Sequence, residues 1–296
     1  MTGLASLPGL SAVRERLAAE VFSKVAGDEG PTRARRIHLA EGPRWFDENR
    51  PIRRVHGDAS MFVGGLRALL LQSLHPLAMA GVAGHSGFRG DPWGRLARTS
   101  HFLAVTTFGT AADADRMIAR IRTIHEHVRG TADDGRAYSA RDPHLLKWVH
   151  LAEVDSFLVA YQRYGATPLD SDGRNGYLAD TARVATALGV IEPPTTEAEL
   201  RNQLRGYRPE LRGTSAARDA ARFLLLQPPL PLAARAPYGL LSAAAVGLLP
   251  RWARWPLRLP YLPLAEATIV RAAGDGMVRT IRWAMTSGPP TRDPAG

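Results

Sequence analysis

Apolar residues recur along most of this chain at intervals of three and four, and the strict alternation of a half-buried strand is scarce. The spacing predicts a succession of helices. One opens at Ser11, with Val13, Leu17 and Val21 on a single stripe. A second, strongly apolar, opens at Asp58 and is kinked or ended by Pro76. Two others share a start signal. Asp91-Pro92 precedes a helix over 93–107 and Asp142-Pro143 one over 144–164, each setting a capping carboxylate before a proline at the first helical position. Between them Thr110 starts a helix through Val128, stopped by Gly130. Further helices are expected over 176–188, 197–206, 215–226, near 240–249 and over 264–285, with 193–196 and 227–238 as loops. The expected fold is all-α: one globular helical domain over 36–285, a helix and lead-in over 1–35, and a tail rich in proline and glycine over 286–296.

Two apolar stretches need weighing as membrane spans. Residues 68–88 carry no formal charge, but Gln72, Ser73, His75, Pro76 and His85 interrupt them, which suits a helix buried within the protein. Residues 223–250 are more apolar, yet Arg235 and the prolines before Tyr238 break them. Nothing at the N-terminus has the charge and apolar pattern of a signal peptide, so a cytoplasmic location is expected.

Composition narrows the chemistry. The 296 residues contain no cysteine, which removes disulfides, zinc–thiolate sites, iron–sulfur clusters and cysteine nucleophiles. The formal charge is +10, and among the basic residues only Lys24 and Lys147 are lysine. Such a balance raises nucleic acid and anionic membrane as partners. The arginines are spread singly along helical patterns, however, and no zinc-finger spacing or aromatic–basic RNA motif accompanies them, so nucleic acid is disfavoured. Nucleotide loops, a G-x-S-x-G elbow, H-E-x-x-H and the Glu-x-x-His pairs of di-iron bundles are also missing.

All nine histidines lie between His38 and His150, so imidazole chemistry belongs to the first half. On the helix opened by Thr110, residues Ala114, Met117, Ile118, Ile121 and Val128 form one apolar stripe, and His125 falls on it. His127, about 200° away around the helix, should face solvent. Two readings of His125 stand open: a core histidine bonded to a backbone carbonyl, or an axial ligand to a metal or haem. On the preceding helix Arg95, Arg98, Thr99 and Phe102 are spaced i, i+3, i+4, i+7, placing two guanidiniums, a hydroxyl and a ring on one face. Two arginines one turn apart suit a propionate or another anion; a solvated basic face is the plainer reading. His150 and Glu153, one turn apart, form either a supporting polar pair or part of a core segment with Trp148 and Val149.

Three runs carry a resemblance: LLLQSLHPLAMAGVAGHSGFRGDPWGRLARTSHFLAVTTFGT, RIRTIHEHVRG and YSARDPHLLKWVHLAEVDSFLVAYQRYG. Together they resemble the catalytic domain shared by latex-clearing proteins (rubber oxygenases) and the ER-bound, mpaB-like oxygenases. The resemblance spans about 37–258 and is sharpest over 69–165. It implies an all-helical domain enclosing a haem b pocket, with His125 as the proximal iron ligand and cofactor-binding residue. The pattern R-x-x-[K/R]-T maps onto Arg95, Arg98 and Thr99, which it implies lie on the distal, catalytic side.

Two departures matter. Rubber oxygenases carry a lysine where this chain has Arg98, and a guanidinium stays protonated and cannot ligate iron in that way. They also draw a pocket glutamate from the helix upstream of that pattern, whereas the only acid between Ala59 and Arg95 here is Asp91, already needed as a cap. The resemblance implies a haem b-dependent oxygenase or oxidoreductase of an apolar, lipid- or isoprenoid-like small molecule; an electron donor is a candidate partner. The alternatives are a haem or lipid carrier or sensor without turnover, and a basic helical binder of membrane or nucleic acid. Residues 251–258, with two tryptophans and three arginines, are expected to make a peripheral membrane contact.

Overall fold

A computed structural model describes residues 27, 29–85 and 90–285; the helix expected from Ser11 and the tail from 286 lie outside them. The elements are α1 (Gly30–Leu39), α2 (Pro51–His56), α3 (Met61–Gln72), α4 (Pro76–His85), α5 (Pro92–Phe108) and α6 (Ala111–His127). A small antiparallel hairpin of β1 (Arg129–Thr131) and β2 (Ala137–Ser139) follows. Then come α7 (Pro143–Tyr164), α8 (Ser171–Leu188), α9 (Glu197–Tyr207), α10 (Ser215–Leu226), α11 (Leu232–Leu248), α12 (Arg251–Arg254), α13 (Pro263–Ala265) and α14 (Arg271–Met285). The fold is all-α apart from the hairpin.

The helix starts obey local chemistry. Asp91 accepts a hydrogen bond from the Gly94 N–H, Asp142 from His144, Thr110 from Asp113 and Thr214 from Ala217. Thr196 and Glu199 form a reciprocal capping box on α9. Each such cap contributes about 1 kcal/mol by satisfying a backbone donor that the helix leaves unpaired.

The α3–α7 pair is the spine, with the most extensive contact between any two helices described. Gly64 makes it possible: a Cβ there would stand 2.9 Å from the Phe157 ring and 3.2 Å from its Cα. Around the pair, Leu70, Leu71, Leu74, Trp148, Leu151 and Tyr177 are fully buried in one cluster. A second cluster of Val63, Ala160, Tyr164, Ala244, Ala245 and Val278 binds α11 and α14 to the other side of α3.

Pro76 breaks the apolar run as expected, and two later helices begin earlier than the spacing placed them. Pro76 ends the apolar helix and begins the next, so α3 and α4 meet at 109°. Among the described residues no single helix is long and apolar enough to cross a membrane. Helix α8 begins at Ser171, five residues early, because Asp170 caps it through Gly173 despite the glycines in its first turns. Helix α11 begins at Leu232 and runs through Pro237. That proline is the sixth residue of the helix, so it forgoes a single intrahelical bond, which packing of the later turns on α3 and α14 offsets.

Candidate functional site

Helices α5 and α6 form a hairpin turning at Gly109 and Thr110. They remain close beyond the turn, since the Arg120 charge contributes to lowering the pKa of His101 behind desolvation and Arg33. Arg95 and His125 stand toward the far end, each about 20 Å along its helix from the turn at 1.5 Å per residue.

Burial of Ala114 and Ile118 fixes the rotation of α6 and leaves His125 half-buried on the same side. His127 is exposed, its Nδ1 2.9 Å from the Thr123 carbonyl. The His125 ring makes no hydrogen bond among the described residues, and burial lowers its pKa, so at neutral pH it is an uncharged imidazole with a lone pair to offer. Against it lies a cavity of about 190 Å³ lined by Arg122, His125, Arg141, Leu146, Leu188 and Gly189. The stripe suggested purely apolar surroundings; two guanidiniums in the wall correct that.

Leu146 belongs to a face of α7 that continues through Val149, His150 and Glu153 at i+3, i+4 and i+7. None of the four is closed over by its neighbours. The α5–α6 hairpin packs on α2 and α8 and less on α7, so among the described residues this half-buried face borders a gap. His150 and Glu153 are deep in the molecule. Desolvation lowers His150 to about 4 and raises Glu153 to about 7. The buried Nε2 of His150 has no hydrogen-bond partner. Beside Glu153 a polar chain runs inward: His56 Nδ1 lies 2.8 Å from Thr107 Oγ1 and His56 Nε2 lies 3.3 Å from the Tyr177 hydroxyl. The Glu153 charge helps raise the Tyr177 pKa, after burial.

The α5 residues are less enclosed. Arg98 is exposed and pairs at 3.2 Å with Asp91, the carboxylate that caps its own helix. Thr99 is exposed and donates to the Arg95 carbonyl at 3.1 Å. Arg95 is half-buried, its pKa lowered by desolvation and by Arg98. Their stripe continues through half-buried Phe102 to buried Thr106, so it runs from the surface into the protein.

A cluster that spacing did not single out joins His75, His144 and Glu210, whose ligand-type atoms lie within 4.8 Å of one another. His75 Nε2 is 3.3 Å and His144 Nε2 2.8 Å from Glu210. The Ala78 N–H meets His75 Nδ1 at 3.4 Å, which leaves the proton on Nε2 to donate to Glu210. Tyr207 stacks on His144 at 4.5 Å and donates to its carbonyl at 2.8 Å. The set is a satisfied polar clasp between the starts of α4 and α7 and residues 208–210.

The residues beside His125 fit haem in kind: a neutral imidazole for iron, Arg122 and Arg141 for carboxylates, and apolar Leu146 and Leu188. The cavity alone falls below the roughly 300–1,000 Å³ usual for small-molecule sites, so a larger group would extend along the α7 face.

Two similar proteins, one from Mycobacterium tuberculosis and one from Mycobacterium bovis, both described as uncharacterized, are each 32% identical over 101 residues. That stretch covers 34% of this chain and 39% of each relative, so the chain matches well under half of their length. No solved structure matches. The model of the catalytic domain of ER-bound oxygenase mpaB/B′ and rubber oxygenase matches residues 53–283, which take in the α3–α7 spine, the hairpin and the gap, and the chain belongs to that family of oxygenase domains.

Proposed function

We propose that this protein is a haem b-dependent oxygenase acting on an apolar, lipid- or isoprenoid-like small molecule, with His125 as the iron ligand. The carrying observation is the His125 imidazole: neutral, half-buried, without a hydrogen bond among the described residues, and set against a cavity with two arginines in its wall. When bound, haem supplies the oxidising chemistry, drawing on O₂ or peroxide and on an electron-donor partner.

The chain's own residues bind and orient. Arg122 and Arg141 offer paired N–H donors for carboxylates at the edge of the group. Arg95 keeps its charge in a partly desolvated place, where that charge acts more strongly than at the surface. Thr99 faces the same way, and its hydroxyl can leave the Arg95 carbonyl to meet a ligand. Arg98 supports the α5 cap and holds Asp91. Leu146, Val149 and Leu188 exclude water from the gap.

An apolar substrate dissolves in membranes, and residues 251–269 expose side chains that suit contact with them. Trp255, Leu264 and Ile269 are 88%, 84% and 73% exposed, with exposed Arg251 and Arg258 on the same segment. Absorption spectra of the purified protein, as isolated and after dithionite, test the central reading. A haem band that shifts on reduction supports it. A colourless protein that also ignores added haemin overturns it.

A further inference from the structure

Buried polar groups in proteins almost always have partners, and those that lack one need a physical reason. The buried Nε2 of His150 is such a group, with no hydrogen-bond partner. Glu153 lies one turn on along α7, half-buried like His150, and makes no side-chain hydrogen bond to another described residue. Both belong to the face of α7 that begins with Leu146 at the His125 cavity. Toward the cavity their neighbours on α7 are Leu146 and Val149; in the other direction lies the Phe157 ring, packed edge-on against His56 at 5.6 Å. The gap is therefore lined by apolar side chains near His125 and ends in a small polar spot. Beyond the pair His56 bonds Thr107 and Tyr177, and none of these three bonds His150 or Glu153.

A neutral imidazole presents one donor and one acceptor, and a carboxyl group presents acceptors with or without a donor. A hydroxyl, which both donates and accepts, completes such a pair with two bonds. A pure hydrocarbon leaves both groups desolvated and unpaired. We infer that the substrate of this site is an apolar molecule carrying a hydroxyl, lodged inward and held between His150 and Glu153. The inference rests on the reading of this gap as the substrate site, and it narrows the substrate class from any lipid-like molecule to an apolar alcohol. A site built to bond a hydroxyl discriminates strongly against the analogue lacking it, since the cost falls on its own unpaired groups.

The test uses the purified full chain, titrated with 1-decanol and with decane. Binding is read in two ways: by the haem absorption band and by tryptophan fluorescence, to which Trp148, two residues from His150, contributes. We expect decanol to bind at least tenfold more tightly than decane. Glu153→Leu and His150→Leu should each lose that preference while still binding decane. Glu153→Gln, which keeps donor and acceptor, should retain it and guards against a folding defect in the leucine variants. Equal affinity of the wild type for both probes overturns the inference, as does no saturable binding of decanol. Preference surviving in both leucine variants overturns it too. The two readings fail separately. A haem-free protein that prefers decanol overturns the haem reading alone, and a haem protein indifferent to the hydroxyl overturns this one alone.

Discussion

Arg67 reaches Asp155 across the α3–α7 interface at 2.7 Å, with the arginine side chain only 3% exposed. The guanidinium also bonds Ser156 Oγ at 2.7 Å and the Leu248 carbonyl at 3.0 Å, so one buried cation ties α3, α7 and α11. Removing the carboxylate leaves a buried charge with neutral partners only. Asp155→Ala should cost about 3 kcal/mol, and Arg67→Met, which removes the charge itself, should cost less. Urea denaturation with an unchanged slope measures both; a smaller loss for Asp155→Ala than for Arg67→Met would show that the pair is not the source of the stability.

His125 and His127 make a paired prediction. His125→Ala should abolish haem binding, whereas His127→Ala, which removes an exposed ring bonded to its own helix, should leave it intact. Arg95→Ala and Thr99→Ala should retain haem and alter its absorption spectrum. Arg98→Ala should act mainly by loosening the Asp91 cap. Haem retained in His125→Ala and lost in His127→Ala would reverse the assignment of the ligand.

Much of this arrangement was legible in the sequence because it depends on neighbours along the chain. Asp91-Pro92, Asp142-Pro143 and Thr110 announce their helices through contacts spanning three residues or fewer. The stripe on α6 separated His125 from His127 for the same reason. What spacing missed depends on distant partners. The hairpin of residues 129–139 has too few residues for alternation to register. Pro237 concealed the first turns of α11, and packing of the later turns on α3 and α14 sustains the helix. Asp91 was legible as a cap, but its bond to Arg98 was not. The His150–Glu153 spacing was visible, yet a core segment and an open gap produce the same i, i+3 pattern. Only the position of the α5–α6 hairpin tells them apart.

The buried titrating groups set a pH dependence whose sign is fixed. Burial holds Glu153 at about 7 against an ordinary 4.5, so the folded chain keeps a proton there that the unfolded chain has lost. Its contribution is full below pH 4.5 and is lost as pH rises through 7. His56 and His150, lowered by burial to about 3 and about 4, act oppositely: stability falls as pH drops below 6.5 toward those values. Glu153→Gln removes the first effect only. Its stability relative to wild type should therefore grow between pH 4.5 and pH 8, by at most about 3 kcal/mol at 1.36 kcal/mol per pH unit. Urea midpoints at pH 5 and pH 8 check this, and an equal difference at both would mean that Glu153 is not the titrating group.

The membrane reading of residues 251–258 divides once each side chain is placed. Arg254 is not available to a headgroup: it is buried, donating to the Leu249 carbonyl at 2.9 Å and the Gly247 carbonyl at 2.8 Å and pairing with Glu266 at 2.6 Å. Trp252 is half-buried, with Arg208 4.9 Å over its ring. Trp255 stands almost wholly outside, and Leu264 and Ile269 further along the chain are also exposed. Apolar side chains of this size enter the layer between headgroups and acyl chains, where Arg251 and Arg258 add attraction to anionic lipid. Wild-type protein should float with anionic liposomes and do so less at high salt, which screens the arginines. Trp255→Ala combined with Leu264→Ser should reduce flotation sharply, and Trp252→Ala should change it little. Protein that stays in the soluble fraction, or that floats equally well without Trp255 and Leu264, would show that this surface does not meet the membrane.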